Sequence, residues 1–181
     1  MIAIMSDSFA SLFDVAETRP LHAGSWLFHD GDPVRIMYFV VEGAVDLTRL
    51  TDGGVSVMQQ RARPGQVLAE ASAYSARYHC DARAVTATVV RAVPVARFLE
   101  RLAADRLLAE VWAAHLARAV QAARMRAEIL TLRTVAERLD AWLREGRALP
   151  AKGAWQDVAA EIGVSREALY RELSRRRREP P

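Results

Sequence analysis

The chain has 181 residues, which is enough for one large domain or two small ones. Hydrophobic residues make up 51% and charged residues 26% of it, as is typical of a globular protein with a substantial core. The net charge of +3 is too small to indicate nucleic-acid binding unless the charges are clustered. The single cysteine, Cys80, excludes an intrachain disulfide and indicates a reducing compartment.

Targeting and membrane signals are not found in the sequence. No apolar run approaches the length of a membrane span, so no membrane association is expected. The first residues, Met1 to Asp7, lack a basic region followed by an apolar stretch and do not resemble a secretory signal. A cytoplasmic location is therefore expected.

The chain begins with a short predicted helix and continues as predicted strands. The helix is predicted over residues 8 to 18, with an apolar face formed by Phe9, Leu12, Phe13 and Val15. From about residue 20 to 93, short apolar–polar alternations are separated by turn signals at regular spacing. This pattern predicts an all-β sandwich or barrel.

The pattern of this region also predicts one hairpin tip and the inward-facing positions of the last strand. The sequence Asp52-Gly53-Gly54 is typical of the tip of a β-hairpin. In the last predicted strand, Val85, Ala87 and Val89 are expected to point inward, because they alternate with polar residues.

After Pro94 the sequence predicts helices. A short helix is expected from Val95 to Leu102, a long one from about Leu107 to Leu130, and a third from Thr134 to Arg144. The long helix carries an apolar seam that lies on the β domain or pairs with a second copy in a dimer. The residues of this predicted dimer interface are Leu108, Val111, His115, Ala122, Met125 and Ile129.

The last part of the chain predicts a helix-turn-helix. Residues 154 to 173 form two short apolar periodicities around a turn at Gly163-Val164, and Ser165 is placed to cap the second helix. The outer face of that helix combines polar and charged side chains, namely Arg166, Glu167, Tyr170 and Arg171. Arginine can bridge O6 and N7 of guanine, and glutamate can accept from the cytosine amino group. An ordinary surface helical hairpin is the alternative interpretation.

Positive charge is concentrated in the same helix. Six Arg and two Glu lie between Ser165 and Arg178, and Arg175 to Arg178 is an uninterrupted basic run. Such a run can contact DNA phosphates and make the affinity sensitive to salt, and Arg175 is included among the predicted DNA contacts. The alternative is a solvated tail.

A β-roll, a long helix and a C-terminal helix-turn-helix, in this order, resemble the Crp–Fnr family of bacterial transcription regulators. The roll segments Leu27–Asp32, Tyr38–Gly43 and Pro64–Glu70 are similar to the family's glycine-containing turns, and Ser165–Arg171 matches its Ser-Arg-Glu-x-x-x-Arg motif. The resemblance implies an α+β fold with an N-terminal β-roll (a double-stranded β-helix), a long dimerisation helix and a helix-turn-helix domain. The expected boundaries are residues 1–106, 107–132 and 133–181.

The resemblance also implies function. Arg166, Glu167 and Arg171 are expected to contact base edges, and Ser165 and Gln156 to contact phosphate. The expected partners are a second copy of the chain, a pseudo-palindromic double-stranded DNA site and RNA polymerase. Family members follow the recognition helix with a β-hairpin wing, whereas Arg175 to Pro181 predict none.

The effector pocket departs from the cyclic-nucleotide-binding members of the family. Glu70 of the Gly-Glu pair that binds ribose is present, but Ala69 stands where the family has Gly. The Arg-Ser pair that binds the cyclic phosphate falls at Tyr78-His79 or Cys80-Asp81, and the adenine-binding pair falls near Ala119-Val120. Without the bidentate arginine contact, a response to cyclic AMP is not expected, unless Arg77 or Arg83 replaces it.

The roll still offers a candidate pocket of reactive groups: Glu70, Ser72, Tyr78, His79 and Cys80. It could bind another small molecule, be filled by side chains such as Tyr78, or respond to oxidation of Cys80. A buried Cys80 and a hydrogen-bonded His79 without function are the alternative. His79 and Cys80 are adjacent in a strand and are not expected to bind one metal, and one cysteine excludes an iron–sulfur cluster. No cofactor is identified.

The sequence bears on three functional classes. The leading hypothesis is a homodimeric, sequence-specific transcription regulator that does not respond to cyclic AMP. A sensor or oligomerisation module with weak DNA binding is the alternative, because the wing is not predicted. Enzymatic activity is not expected, since the chain has no His-x-His, Gly-x-Ser-x-Gly or His-Glu-x-x-His motif.

Overall fold

The computed structural model describes residues 10–14, 16–54 and 56–178. Predictions that fall on residues 1–9, 15, 55 and 179–181 lie outside this part of the chain, among them Phe9 and Val15 of the first predicted helix. The chain divides into two compact units, one up to Leu116 and one from Ala117 onward. The first contains the strands and the second a group of short helices, so the predicted α+β class and β-roll are confirmed.

The strands of the first unit form two antiparallel sheets of four strands each. Their order is β1-β8-β3-β6 in one sheet and β2-β7-β4-β5 in the other. The bounds are β1 (Glu17–Leu21), β2 (Trp26–Phe28), β3 (Ile36–Glu42), β4 (Val45–Leu50), β5 (Ser56–Ala62), β6 (Val67–Leu68), β7 (Asp81–Ala84) and β8 (Thr88–Pro94).

Strand β3 is buried on both faces, which explains its continuous apolar sequence. Tyr38 and Val40 point into the core between the two sheets. Met37 and Phe39 alternate with them and point into a second core, where helical residues cover the outer face of the sheet. The roll is therefore packed from inside and outside around one central strand.

The strands confirm one predicted detail and correct two others. The hairpin tip at Asp52–Gly54 is confirmed, because β4 and β5 pair across it. The predicted inward positions of the last strand are wrong: residues 85–87 form the turn before β8, and Thr88, Val90 and Ala92 are buried instead. Strand β1 begins at Glu17, within the helix predicted up to residue 18, because it pairs with β8.

Five α-helices follow in the described residues, close to the positions predicted. Their bounds are α1 (Val95–Ala104), α2 (Arg106–Thr131), α3 (Val135–Arg144), α4 (Trp155–Glu161) and α5 (Arg166–Arg178). Short 3-10 turns span Glu70–Tyr74 and Lys152–Ala154. The sequence explains where α3 begins: Thr134 and Glu137 form a capping box in which the backbone of each donates to the side chain of the other.

The second unit has its own apolar core. It is built around the C-terminal part of α2 and the three short helices, and its buried residues are Ile129, Leu139, Trp142, Trp155, Val158, Ala159, Ile162, Leu169 and Leu173. Helices α4 and α5 meet at the predicted turn. None of the helices in the described residues combines the length and the apolar character needed to cross a membrane.

Candidate nucleic-acid interface and effector pocket

Helix α5 begins at a turn whose geometry depends on two small residues. Gly163 has φ of +66°, a conformation that costs other residues energy. A Cβ at this position would also collide with Cδ2 of Leu130. Ser165 then caps the helix, because its Oγ accepts a hydrogen bond of 3.1 Å from the backbone nitrogen of Ala168. The cap leaves the hydroxyl hydrogen of Ser165 able to donate to another acceptor.

One side of α5 is buried and the opposite side is open. Leu169 and Leu173 lie in the C-terminal core, whereas Arg166, Glu167 and Arg171 are exposed. Gln156, the second residue of α4, is exposed as well. A shallow surface groove of about 460 Å³ runs along α5 and is lined by Tyr170, Arg171, Ser174, Arg175 and Arg178.

Tyr170 lies among the predicted DNA contacts in sequence, but its ring packs against the protein. The hydroxyl donates a hydrogen bond of 3.0 Å to the carbonyl oxygen of Lys152. The ring meets that of Trp155 edge-on, with 5.0 Å between centroids. The guanidinium carbon of Arg166 lies 5.2 Å from the centroid of the Tyr170 ring, within the range of a cation–π contact.

Three of the arginine side chains at the end of α5 contact either carboxylates or an aromatic ring of the same unit. Arg175 and Arg176 both donate to the carboxylate of Glu172, and these bonds lower its pKa. Arg176 also donates to Asp140 at 2.6 Å. Arg177 lies over the ring of Trp155. The whole run belongs to α5, which ends at Arg178. Because Arg176 bonds to both Glu172 and Asp140, it has a structural role within the C-terminal unit.

Arg138 is a structural residue that the sequence analysis did not identify. Its guanidinium donates to four backbone carbonyl oxygens, at 3.0 Å for Leu130, 2.8 Å for Leu132, 3.2 Å for Ile162 and 2.9 Å for Gly163. It thereby joins the end of α2 to the turn of the helix-turn-helix. Backbone carbonyls carry no sequence signal, so nothing in the pattern distinguishes Arg138 from other helix arginines.

In the roll, the predicted pocket residues differ strongly in exposure. Glu70 is half-buried, and its Oε2 atom has no hydrogen-bond partner among the described residues. Ser72 is fully buried, and its Oγ lies 3.2 Å from Nδ1 of the exposed His79, within hydrogen-bond distance. These three residues therefore form a polar edge to an interior that is otherwise apolar.

Aromatic side chains fill the interior next to this edge. Tyr78 is buried and stacks on Phe28, with 3.6 Å between ring centroids and 8° between planes. Its hydroxyl donates to the carbonyl oxygen of Ile36, and burial raises its pKa. Cys80 is completely buried, and burial, together with the nearby charges of Asp30 and Asp81, raises the pKa of its thiol to about 11.

The two arginines that could replace the missing phosphate ligand are both held by loop carbonyls. Arg77 donates to the carbonyl oxygen of Gly31 at 2.6 Å. Arg83 donates to that of Gly24 at 3.0 Å and lies over the ring of Trp26. Neither hydrogen bond leads to a residue of the predicted pocket.

Comparison with known proteins identifies a family to which the β-roll is similar. The sequence profile of the family described as "Cyclic nucleotide-binding domain" matches residues 18–105. Residues 18–105 are similar to this family, and the chain has the Crp–Fnr fold. A comparison with curated protein sequences found no match.

Several solved structures share the Crp–Fnr fold with most of the chain. FixK2 from Bradyrhizobium japonicum is 23% identical, with a TM-score of 0.73 over 91% of this chain and 85% of that one. The c-di-GMP-responsive global regulator CLP of Xanthomonas campestris is 18% identical, with a TM-score of 0.67 over 98% and 92%. The catabolite activator protein of Thermus thermophilus is 24% identical, with a TM-score of 0.58 over 96% and 84%.

One residue of the roll, Ala69, has a strained backbone conformation. Ala69 has φ of +49° and ψ of +44°, the left-handed conformation, at the position where the resemblance expects glycine. Glycine adopts this conformation most easily, whereas for alanine it costs about 1–2 kcal/mol.

The predicted dimer seam on the long Crp–Fnr helix is largely covered by the chain itself. Leu108 and Val111 pack against the outer core of the roll, and Met125 and Ile129 against the C-terminal core. The ring of His115 lies 5.4 Å from that of Trp112, whereas Ala122 is exposed. The large apolar side chains that α2 exposes are Leu107 at 69%, Val120 at 49% and Leu130 at 44%.

No metal centre is found in the part of the chain that the structure describes, since no three His, Cys, Asp or Glu residues are grouped to hold an ion. His79 is exposed and Cys80 is buried, but both lie in a bend before β7, which begins at Asp81, so the strand position predicted for them is wrong.

Proposed function

We propose that this chain is a homodimeric, sequence-specific DNA-binding transcription regulator that acts in the cytoplasm and does not respond to cyclic AMP. The observation that carries the proposal is the polarity of α5. Leu169 and Leu173 bury one side of the helix, and Arg166, Glu167 and Arg171 stand exposed on the other. A helix held in this way can place these side chains in a major groove.

The exposed groups match the chemistry of DNA in kind. Arg166 and Arg171 can each form two hydrogen bonds with a guanine, and Glu167 can accept from a cytosine amino group. Ser165, Gln156 and Arg175 are proposed to contact phosphates, which orient the helix without reading sequence. Tyr170 is proposed to act on the side chain of Arg166 rather than on DNA directly.

The proposed DNA site is a pseudo-palindrome, and its two-fold symmetry calls for a dimeric protein. A two-fold dimer reads a pseudo-palindrome whose half-sites lie about one helical turn apart. We propose that α2 forms the dimer contact through the exposed side that carries Val120, because the large apolar residues of the predicted seam, Leu108, Val111, Met125 and Ile129, already pack within the chain. RNA polymerase is the further partner that a regulator of this type would contact.

We propose that the β-roll either binds an effector other than a cyclic nucleotide or needs no effector for the dimer to bind DNA. The Tyr78–Phe28 stack occupies the interior of the roll, which supports a filled roll and a constitutive dimer. A small ligand at the polar edge of Glu70, Ser72 and His79 is the second possibility.

The test begins with selection of sequences from a random duplex library by the full chain. Arg166→Ala and Arg171→Ala are each expected to weaken binding to the selected site by about 1–3 kcal/mol, with little effect on random DNA. Arg106→Ala, which removes an exposed arginine from α2, is the matched control and should change neither affinity. Equal losses on both DNAs would remove Arg166 from base readout. Failure to enrich any sequence would favour the sensor module with weak DNA binding.

A further inference from the structure

We propose that Tyr170 is a positioning residue that holds the side chain of Arg166 ready for base contact before DNA arrives. The inference rests on the proposed DNA-reading role of Arg166. The position of Tyr170 on the recognition helix suggests direct contact with DNA. The role proposed here is instead to hold Arg166.

The ring of Tyr170 is fixed from two directions. Its hydroxyl donates to the carbonyl oxygen of Lys152 at 3.0 Å, in the loop that precedes α4. Its ring packs edge-on against Trp155, which is buried and donates through Nε1 to the carbonyl oxygen of Pro150 at 2.9 Å. The loop and α4 thus hold the ring in one orientation, and the donor hydrogen of the hydroxyl is already used.

Arg166 lies on this fixed ring. Its guanidinium carbon is 5.2 Å from the Tyr170 centroid, and the two residues are four positions apart, one above the other on α5. The arginine is exposed, so without the ring its side chain would sample many rotamers. A planar guanidinium on an aromatic face keeps its hydrogen-bond donors free at its edge, where bidentate contact with guanine occurs.

Holding the Arg166 side chain in one orientation strengthens only those DNA contacts that require its guanidinium in a single geometry. Contact with a guanine requires the guanidinium to be placed in the plane of the base, whereas a phosphate accepts an arginine from many directions. Loss of the ring should therefore weaken specific binding and leave binding to random DNA almost unchanged. A residue that only stabilises the fold would affect both equally.

The experiment is a double-mutant cycle with the full chain, using Arg166→Ala, Tyr170→Leu and the double variant on the selected site and on random DNA. Tyr170→Leu is expected to weaken specific binding about 2- to 5-fold, the size of an exposed cation–π contact, and to have no further effect when Arg166 is already Ala. Tyr170→Phe keeps the ring and should retain most of the specific affinity. Loss of random-DNA binding to the same extent, or a full Tyr170→Leu effect in the Arg166→Ala background, would overturn the proposal.

A second measurement does not depend on DNA. In the free wild-type chain, NMR should show the Cδ protons of Arg166 shifted upfield by the Tyr170 ring, and the shift should disappear in Tyr170→Leu and persist in Tyr170→Phe. Unshifted Arg166 protons in the wild type would contradict the proposal whatever the affinities are. If the protons are shifted but Arg166→Ala leaves specific binding intact, the proposed base contact of Arg166 fails instead.

Discussion

Arg138 donates a hydrogen bond of 2.9 Å from its Nη1 to the carbonyl oxygen of Gly163, the residue at the turn of the helix-turn-helix. The same guanidinium also donates to the carbonyl oxygen of Leu130, in the last turn of α2, and to that of Leu132, just after the helix. One positive group thus satisfies acceptors at the ends of two segments, where helical carbonyls have no partner of their own. The orientation of the turn is therefore set by a side chain from α3.

Removing this guanidinium should destabilise the C-terminal unit. Arg138→Met keeps the aliphatic part of the side chain but leaves four carbonyls without their donor, at an expected cost of about 2–4 kcal/mol. Arg138→Lys should recover only part of this, because an ammonium cannot reach all four oxygens. Urea denaturation measures the effect, with Arg144→Met, an exposed position on the same helix, as the control. Equal free energies of unfolding for Arg138→Met and Arg144→Met would contradict the prediction.

Replacing Ala69 by glycine should stabilise the roll. The left-handed backbone at φ +49° is strained for alanine and unstrained for glycine. We expect Ala69→Gly to raise the free energy of unfolding by about 1 kcal/mol after the entropy of the unfolded glycine is subtracted. Ala84→Gly, at a buried strand position, is the comparison and should be destabilising. A fall in stability for Ala69→Gly would show that the strain is compensated locally.

The thiol of Cys80 should be inert in the folded protein. Burial raises its pKa to about 11, so the thiolate fraction at neutral pH falls by on the order of 100-fold. Ellman's reagent should therefore react slowly with the native chain and rapidly in denaturant. Rapid native reaction, or a change in DNA affinity with peroxide that Cys80→Ser abolishes, would restore the redox route.

The same shift makes stability depend on alkaline pH. The folded pKa of Cys80 lies above that of the unfolded thiol, which is about 8.5. Its stabilising contribution is complete below the unfolded value and is lost as the pH rises toward the folded value of about 11. Denaturation between these two pH values should show a smaller loss for Cys80→Ala than for the wild type.

Cyclic AMP should not bind at micromolar concentration. The phosphate would find neither Arg77 nor Arg83 free to approach, because both donate to loop carbonyls. The Tyr78–Phe28 stack occupies the interior of the roll. Isothermal titration calorimetry should detect no heat, and DNA affinity should be unchanged by the nucleotide. Tight binding that raises DNA affinity would overturn this interpretation of the pocket.

The exposed side of α2 should carry the dimer. Val120→Glu places a charge on a side chain that is 49% exposed and should produce monomers without loss of folding. Val57→Glu, a matched substitution at a side chain that is 45% exposed on β5, should leave the dimer intact. Light scattering of the wild type and both variants decides the outcome. A charge at Ile129 should instead unfold the C-terminal core, since that residue is buried there.

The resemblance and the periodicities of the sequence predicted most of the architecture. Glycine-rich turns and the cap residue Ser165 are local signals that act within a few residues, so they predicted the hairpin tip and the start of α5. The strand parity around Val85 was predicted wrongly, because alternation alone does not show where a turn replaces a strand.

The sequence by itself determined the order of the elements, the character of α5 and the absence of the family's phosphate-binding arginine from the motif. Only the tertiary structure showed that Arg138 joins α2 to the turn, that the seam of α2 is covered by its own chain, and that Tyr170 faces Trp155 rather than outward. The reason is physical: caps, turns and amphipathic faces are encoded by neighbours in the chain. Contacts with backbone carbonyls and the choice between two possible partners for one apolar stripe depend on which distant segments meet when the chain folds.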